Sequence, residues 1–336
     1  MPSTGCVPCL FLRKARDFSF SGFRSPSIGA FCRVPSLVSL MFLAFLAAGC
    51  SRTPGTLHER PPNPAAIVSY TDMTGRRVDL PRHPERIISL APSVTEVLYM
   101  VGAWDRVIGV TTQCDWPEAV RLKPKMGDLL NVNYEKILAA RPDLIIASTA
   151  GNDRTAILKL ADLNLPLFVT APRSVAGIFT TAEMIGRITD CAPQAEHLVS
   201  EIRDRLEQVK RHLDGLPPVR AFFITWFDPL LAPGRNTFET DILRQLDVIS
   251  ITAGINQFYP HCSVEQVLAE DPDVIITVEH TGNPLPDLRR ISGWQHLRAV
   301  REGRIYVLSE VFQHPSPRFV DAVEDLARKL HPERFR

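Results

Sequence analysis

The sequence predicts an α/β protein of two pseudo-symmetric lobes joined by one long helix. Short β-rich runs alternate with helical patterns, and one charged, amphipathic stretch at 175–213 divides this alternation in two. A thirteen-residue unit occurs once on each side of that stretch. Alternation of strand and helix implies layered α/β architecture with a largely parallel sheet. At 336 residues the chain is long enough for two domains of ordinary size.

The first element is a leader. An apolar run, Leu37 to Ala48, follows Arg13, Lys14, Arg16, Arg24 and Arg33 and ends in Ala47-Ala48-Gly49-Cys50. It is short for a bilayer span and suits a signal-peptide core. Small residues before a cysteine resemble the lipobox of bacterial lipoproteins, which implies cleavage after Gly49 and diacylation of Cys50. Two acyl chains make a stable anchor. Residues 1–49 are therefore expected to be a signal peptide. The stretch 50–66, with four prolines in SRTPGTLHERPPNP, is expected to be the lipid anchor and an extended tether.

Folding is expected to begin near Ile67, with a hairpin around Thr74-Gly75. The N-terminal lobe, 67–174, then reads as strands at 86–90, 107–110, 144–147 and 167–170, with helices at 95–101, 134–140 and 153–163. The stretch 175–213 is read as a single linking helix, longer than an ordinary globular one. The C-terminal lobe, 214–336, resumes with strands at 221–225, 274–278 and 304–307 and helices at 240–246, 264–269 and 319–330. Each lobe is thus Rossmann-like.

The repeat makes the two lobes equivalent. YEKILAARPDLII (134–146) and VEQVLAEDPDVII (264–276) share seven of thirteen residues, including Glu135/Glu265, Pro142/Pro272 and Asp143/Asp273. Both read as a helix N-capped by Asn133 or Ser263, a stopping proline and a buried strand. Two such lobes imply a cleft, where small ligands bind.

Composition narrows the function. A formal charge of +1 gives no electrostatic reason to expect a nucleic acid. Removing residues 1–49 takes five basic side chains and one acidic one from the 38 and 37 of the chain, leaving 33 against 36, a net −3 that suits an extracytoplasmic body. Cys114, Cys191 and Cys262 then remain beside Cys50, and three thiols cannot all pair within the chain.

From Arg86 onward the chain resembles the periplasmic solute-binding proteins of ABC importers, of the iron-siderophore and cobalamin class and nearest its cobalamin-binding members. The resemblance rests on RIISLAPSVTE (86–96) with Gly102, VIGVTTQCDWP (107–117), the two repeat units and HPSPR (314–318). It implies two lobes joined by one long rigid helix, no enzymatic activity, no cofactor beyond the bound cargo, and permease and ATPase subunits as partners. Glu135 and Glu265 would be the docking glutamates, one per lobe. A helix dipole also accounts for glutamate in a first turn, but does not require the same one twice.

By position the family's binding loops fall on 91–93, 114–116, 147–152, 226–231, Tyr259 and 310–312, which makes Pro92 and the aromatic Trp116, Trp226, Phe227, Tyr259 and Phe312 the expected walls for a large, mostly apolar macrocycle. The expected function is a monomeric, membrane-anchored, periplasmic or extracytoplasmic lipoprotein that delivers a corrinoid, cobalamin. The chain departs from the cobalamin binders at Gln113, Leu129 and Ser148, where they carry tryptophans and a tyrosine. Two other cargoes stay open: an anionic ferric siderophore held by Arg154, Arg235 or Arg318, or haem held by Tyr259 with His261. Two further classes stand beside these. A metal-ion lipoprotein needs clustered His and carboxylate ligands, and the histidines are scattered. A Cys114-dependent enzyme lacks the G-x-S-x-G, G-x-G-x-x-G, P-loop and H-E-x-x-H motifs.

Overall fold

A computed structural model describes residues 67–279 and 285–336, all within one compact unit, Arg60–Arg336. The chain enters through an antiparallel hairpin, β1 (Ile67–Thr71) and β2 (Arg77–Pro81). Its turn is organised by Asp72, 3% exposed, whose Oδ1 accepts from the Thr74 and Arg76 backbone N–H groups and the Thr74 hydroxyl. Gly75 sits at φ +85°, where a side chain would be strained. Arg76 then donates to the Leu167 carbonyl at 3.0 Å and ties the hairpin to the first lobe.

The first lobe runs β3 (Ile87–Ser89), α1 (Pro92–Met100), β4 (Val107–Gly109), α2 (Tyr134–Ala140), β5 (Leu144–Ser148), α3 (Arg154–Asp162) and β6 (Leu167–Thr170). Its strands form a parallel sheet in the order β4-β3-β5-β6. After α4 (Val175–Ile188) and α5 (Ala192–Leu213), the second lobe runs β7 (Val219–Ile224), α6 (Phe238–Gln245), β8 (Val248–Ser250), α7 (Val264–Glu270), β9 (Val274–Val278), α8 (Arg298–Arg301), β10 (Ile305–Leu308) and α9 (Phe319–Leu330). Its parallel sheet is ordered β10-β9-β7-β8. In both lobes the first strand is central, the second lies at one edge and the fourth at the other, so β3 to β6 match β7 to β10. β5 and β9 are buried along their whole length, as strands covered on both faces must be.

The repeat has a local physical cause. Asn133 caps α2 by accepting from Lys136 N, and Ser263 caps α7 in a full capping box with Gln266. Each helix ends on a left-handed residue, Arg141 (φ 45°) or Asp271 (φ 36°), before its proline. The aspartate that follows pins the start of the central strand. Asp143 accepts from Glu85 N and Arg86 N, and Asp273 from Arg220 N, all at 2.8 Å.

Two expectations are corrected. The stretch 175–213 is not one helix but two, α4 and α5, which pack against each other. The break at 189–191 follows from Asp190 at φ 56° and from Pro193 in the first turn of α5, which lacks an N–H and clashes with a preceding carbonyl. Gly186 permits the close approach, since a Cβ there would stand 2.4 Å from that of Ala195. The second correction is β8, a three-residue strand too short to announce itself by alternation.

One apolar cluster runs unbroken from Ile87 and Ile146 of the first sheet through Ile178, Ile185, Val199 and Ile202 of α4 and α5 to Phe223, Ile276 and Val323 of the second lobe. The outer sheet faces have separate cores, Ile88, Ile145 and Leu160 in one lobe and Phe222, Ile275 and Trp294 in the other. The lobes are therefore joined by shared packing on the α4/α5 side.

Candidate functional site at the seam between the lobes

In a parallel sheet the loops leaving the carboxyl ends of the strands build the ligand site. Here those loops from the two lobes meet. Trp116, after β4, lies under the guanidinium of Arg318, after β10, at 4.4 Å. Phe258, after β8, lies under that of Arg173, after β6, at 5.0 Å. The candidate site is the seam between these two flanking contacts.

Pro92 is the first residue of α1, half-buried directly after β3. Trp116 is half-buried, with its ring edge-on to Tyr99 at 4.9 Å. Trp226 is half-buried after β7, where Nε1 donates to the Asp228 carbonyl at 2.8 Å. Tyr259 keeps 37% of its surface exposed while its hydroxyl donates inward to Glu239 Oε1 at 2.9 Å. Phe227 turns toward the core of the second lobe, 5.7 Å from Trp294. Phe312 is a correction. It is fully buried and stacked on Phe223 at 5.4 Å, so it is core and offers a ligand no surface. The short 3-10 helix Glu310–Gln313 points Phe312 inward and leaves Glu310 exposed.

Glu135 and Glu265 are exposed in the first turns of α2 and α7. Helices of βαβ units return antiparallel to the strands, which puts these first turns at the carboxyl edge of each lobe. The Glu265 carboxyl is held below its ordinary value by its own backbone N–H and the Ser263 hydroxyl. Cys50 and the leader lie outside the described residues. Among the described residues no helix is long and apolar enough to cross a membrane.

Sequence reasoning missed two buried glutamates. Glu96 of α1, 1% exposed, crosses the seam to the 314–318 loop. Its Oε1 lies 3.3 Å from Arg318 Nη1 and 3.4 Å from His314 Nδ1, and Ser316 donates to Oε2. Burial opposes charging His314, but the hydrogen bond to Glu96 and the charges of Glu96, Glu310 and Asp115 outweigh it and raise the imidazole above its usual range. Glu239 of α6, also 1% exposed, accepts from the Tyr259 hydroxyl on Oε1, and among the described residues Oε2 has no hydrogen-bond partner. Burial pushes its carboxyl up to about 7 against the opposing hydrogen bonds, and burial with the Glu239 charge holds the Tyr259 phenol well above its usual range.

The rival ligand chemistries find few free groups. Arg235 donates to the Gly254 carbonyl at 3.1 Å, and His261 is exposed in a loop. Cys114, Cys191 and Cys262 are free thiols, and Cys114, 3% exposed, contacts the hydroxyls of Thr95 and Thr111 at 3.1 and 3.2 Å. Among the described residues no three His, Cys, Asp or Glu side chains converge as a metal site.

Two parallel α/β lobes with their carboxyl-end loops opposed across a seam define a two-lobed ligand-binding protein. The chain belongs to the periplasmic binding protein family, whose profile matches residues 87–311. It is a substrate-binding protein of an ABC transporter and a non-enzymatic transport component, whose partners are permease and ATPase subunits and whose ligand is a small molecule carried as substrate rather than cofactor. It is 27% identical over 308 residues to the ABC transporter substrate-binding lipoprotein YvrC of Bacillus subtilis, covering 89% of this chain and 97% of that one. It is 29% identical over 248 residues to the vitamin B12-binding protein of Vibrio cholerae, covering 73% and 89%. The crystal structure of the Vibrio cholerae vitamin B12-binding protein BtuF superposes with a TM-score of 0.66 at 28% identity, covering 75% of this chain and 99% of that one.

Proposed function

We propose that this protein is an extracytoplasmic, lipid-anchored monomer that captures a corrinoid between its lobes and delivers it to the importer. The observation that carries the cargo is how the seam's polar groups are used. Tyr259 turns its hydroxyl into the protein onto Glu239 and leaves its ring outward. Arg318 is held by Glu96 and Trp116, and Arg235 by a carbonyl. A phenol so engaged is a poor iron ligand for haem, and arginines so engaged are poor receptors for an anionic chelate. Pro92, Trp116 and Trp226, each half-buried, and the partly exposed Tyr259 supply the apolar and aromatic surface that suits a macrocycle. The named vitamin B12-binding relatives support the same choice.

In this reading residues 67–174 and 214–336 are the cargo-holding lobes, 175–213 links them, and the lipidated Cys50 tethers the body through 51–66 after removal of 1–49. Glu135 and Glu265 dock the loaded protein on basic residues of the permease. Calorimetric titration with cyanocobalamin, haem and a ferric hydroxamate tests the cargo. Sub-micromolar binding of the corrinoid alone is expected. Binding of haem or the hydroxamate instead overturns the corrinoid reading and keeps the importer.

A further inference from the structure

We infer that Arg318 on Trp116 and Arg173 on Phe258 are two inter-lobe struts related by the internal repeat, the first a fixed strut and the second a latch through which cargo enters and leaves. The inference rests on the seam being where cargo binds, and not on which cargo it is.

The topology carries the equivalence. β4 and β8 are the second strands of their lobes, and the aromatic partner of each strut lies in the loop that follows, seven residues beyond Gly109 or eight beyond Ser250. β6 and β10 are the fourth strands, and the arginine of each strut closes the loop that follows, just ahead of α4 or α9. Each arginine follows a proline, as Pro172-Arg173 and Pro317-Arg318. With sheet orders β4-β3-β5-β6 and β10-β9-β7-β8, an operation that exchanges the lobes turns one contact into the other. The same arginine–aromatic pair thus braces both flanks of the seam.

The two struts differ in what stands behind them. Arg318, whose side chain is 20% exposed, is ion-paired to the buried Glu96, and the same carboxylate accepts from Ser316. Trp116 also meets Tyr99 in a T-shaped contact at 4.9 Å. Arg173 is exposed, and among the described residues no carboxylate lies within ion-pair distance of it. Phe258 sits in the loop 251–263, which is exposed at Gly254 to Gln257. The Phe258 carbonyl accepts from Gly234 N at 2.8 Å, and Asp241 accepts from Val175 N at 2.9 Å beside the strut, but the side-chain contact itself is a solvated guanidinium on one ring, which opens more readily than one anchored in a buried ionic cluster. Gating by Arg173 therefore changes the rates of entry and exit without changing the closed, loaded state.

Hydrogen exchange on the ligand-free protein and stopped-flow binding of cyanocobalamin test this with Arg173→Ala, Arg173→Lys and Arg318→Ala. Arg173→Ala is expected to raise exchange in 251–259 by about 2–5-fold, the equivalent of an exposed cation–π contact, and to leave 110–116 unchanged. Both association and dissociation should accelerate by a similar factor, so that Kd moves little, and Arg173→Lys should restore most of the effect. Arg318→Ala should instead raise exchange in 110–116 and lower the melting temperature. Unchanged exchange in 251–259, a Kd that moves with dissociation alone, or equal loss of melting temperature in the two alanine variants would each overturn the latch. If cyanocobalamin does not bind, the corrinoid reading falls, and the exchange and melting comparisons still decide the struts.

Discussion

Each lobe buries one glutamate in the helix that follows its central strand, Glu96 in α1 and Glu239 in α6, and the two are solved in opposite ways. Glu96 meets an arginine, a histidine and a serine that reach it from the other lobe. Glu239 meets the Tyr259 phenol of its own lobe and leaves Oε2 unpartnered among the described residues. A buried charge is tolerable when fully paired and costly when not. Glu96 therefore serves as a joint between lobes. Glu239 serves to hold Tyr259 in place, at the cost of a carboxyl that resists ionisation.

Breaking the joint should have the largest effect. Glu96→Ala leaves Arg318 and Ser316 facing each other without their acceptor, and the expected loss is about 3–5 kcal/mol in urea unfolding. A loss under about 1 kcal/mol would mean that water replaces the carboxylate and that the cluster does not join the lobes.

A smaller effect of opposite sign is expected at the other glutamate. The folded-state value of Glu239 is about 7, against an ordinary 4.5. Between those pH values the folded protein holds a proton that the unfolded chain has released, so stability falls as pH rises through this window. The deficit is complete above about pH 7 and amounts to about 3 kcal/mol. Glu239→Gln keeps an acceptor for Tyr259 and removes the ionisation. It should therefore stabilise the protein at pH 8 and do almost nothing at pH 4.5. Equal stabilisation at both pH values would show that ionisation of Glu239 is not the cause.

The smallest effect on the fold belongs to the exposed pair. Glu135→Arg combined with Glu265→Arg should change stability by no more than about 0.5 kcal/mol and leave cargo affinity intact, while abolishing uptake in cells. Uptake at the wild-type rate would remove both residues from the docking surface.

Much of the fold was legible because its signals are local. The caps at Asn133 and Ser263 act on residues three positions away, and α2, β9 and α9 lie where their patterns put them. The repeat disclosed the paired lobes, and its aspartates each fasten a neighbouring strand. The candidate site was legible in part. Trp116 meets Arg318 of the other lobe, but nothing around Phe312 distinguished a core aromatic from a wall, because a 3-10 turn decides which way the ring faces. The duplicated Pro-Arg step at 172–173 and 317–318 was the available signal for the struts.

By itself the sequence determined the alternation of strand and helix, the equivalence of the two lobes and the ends of their helices, since these depend on neighbours a few residues apart. Only the tertiary structure decided that α4 and α5 fold into a packed pair, that Glu96 answers Arg318 from 222 residues away, and that Tyr259 turns its hydroxyl inward. Those outcomes depend on which distant surfaces share a core and which polar atoms are cut off from water, and no local pattern records either.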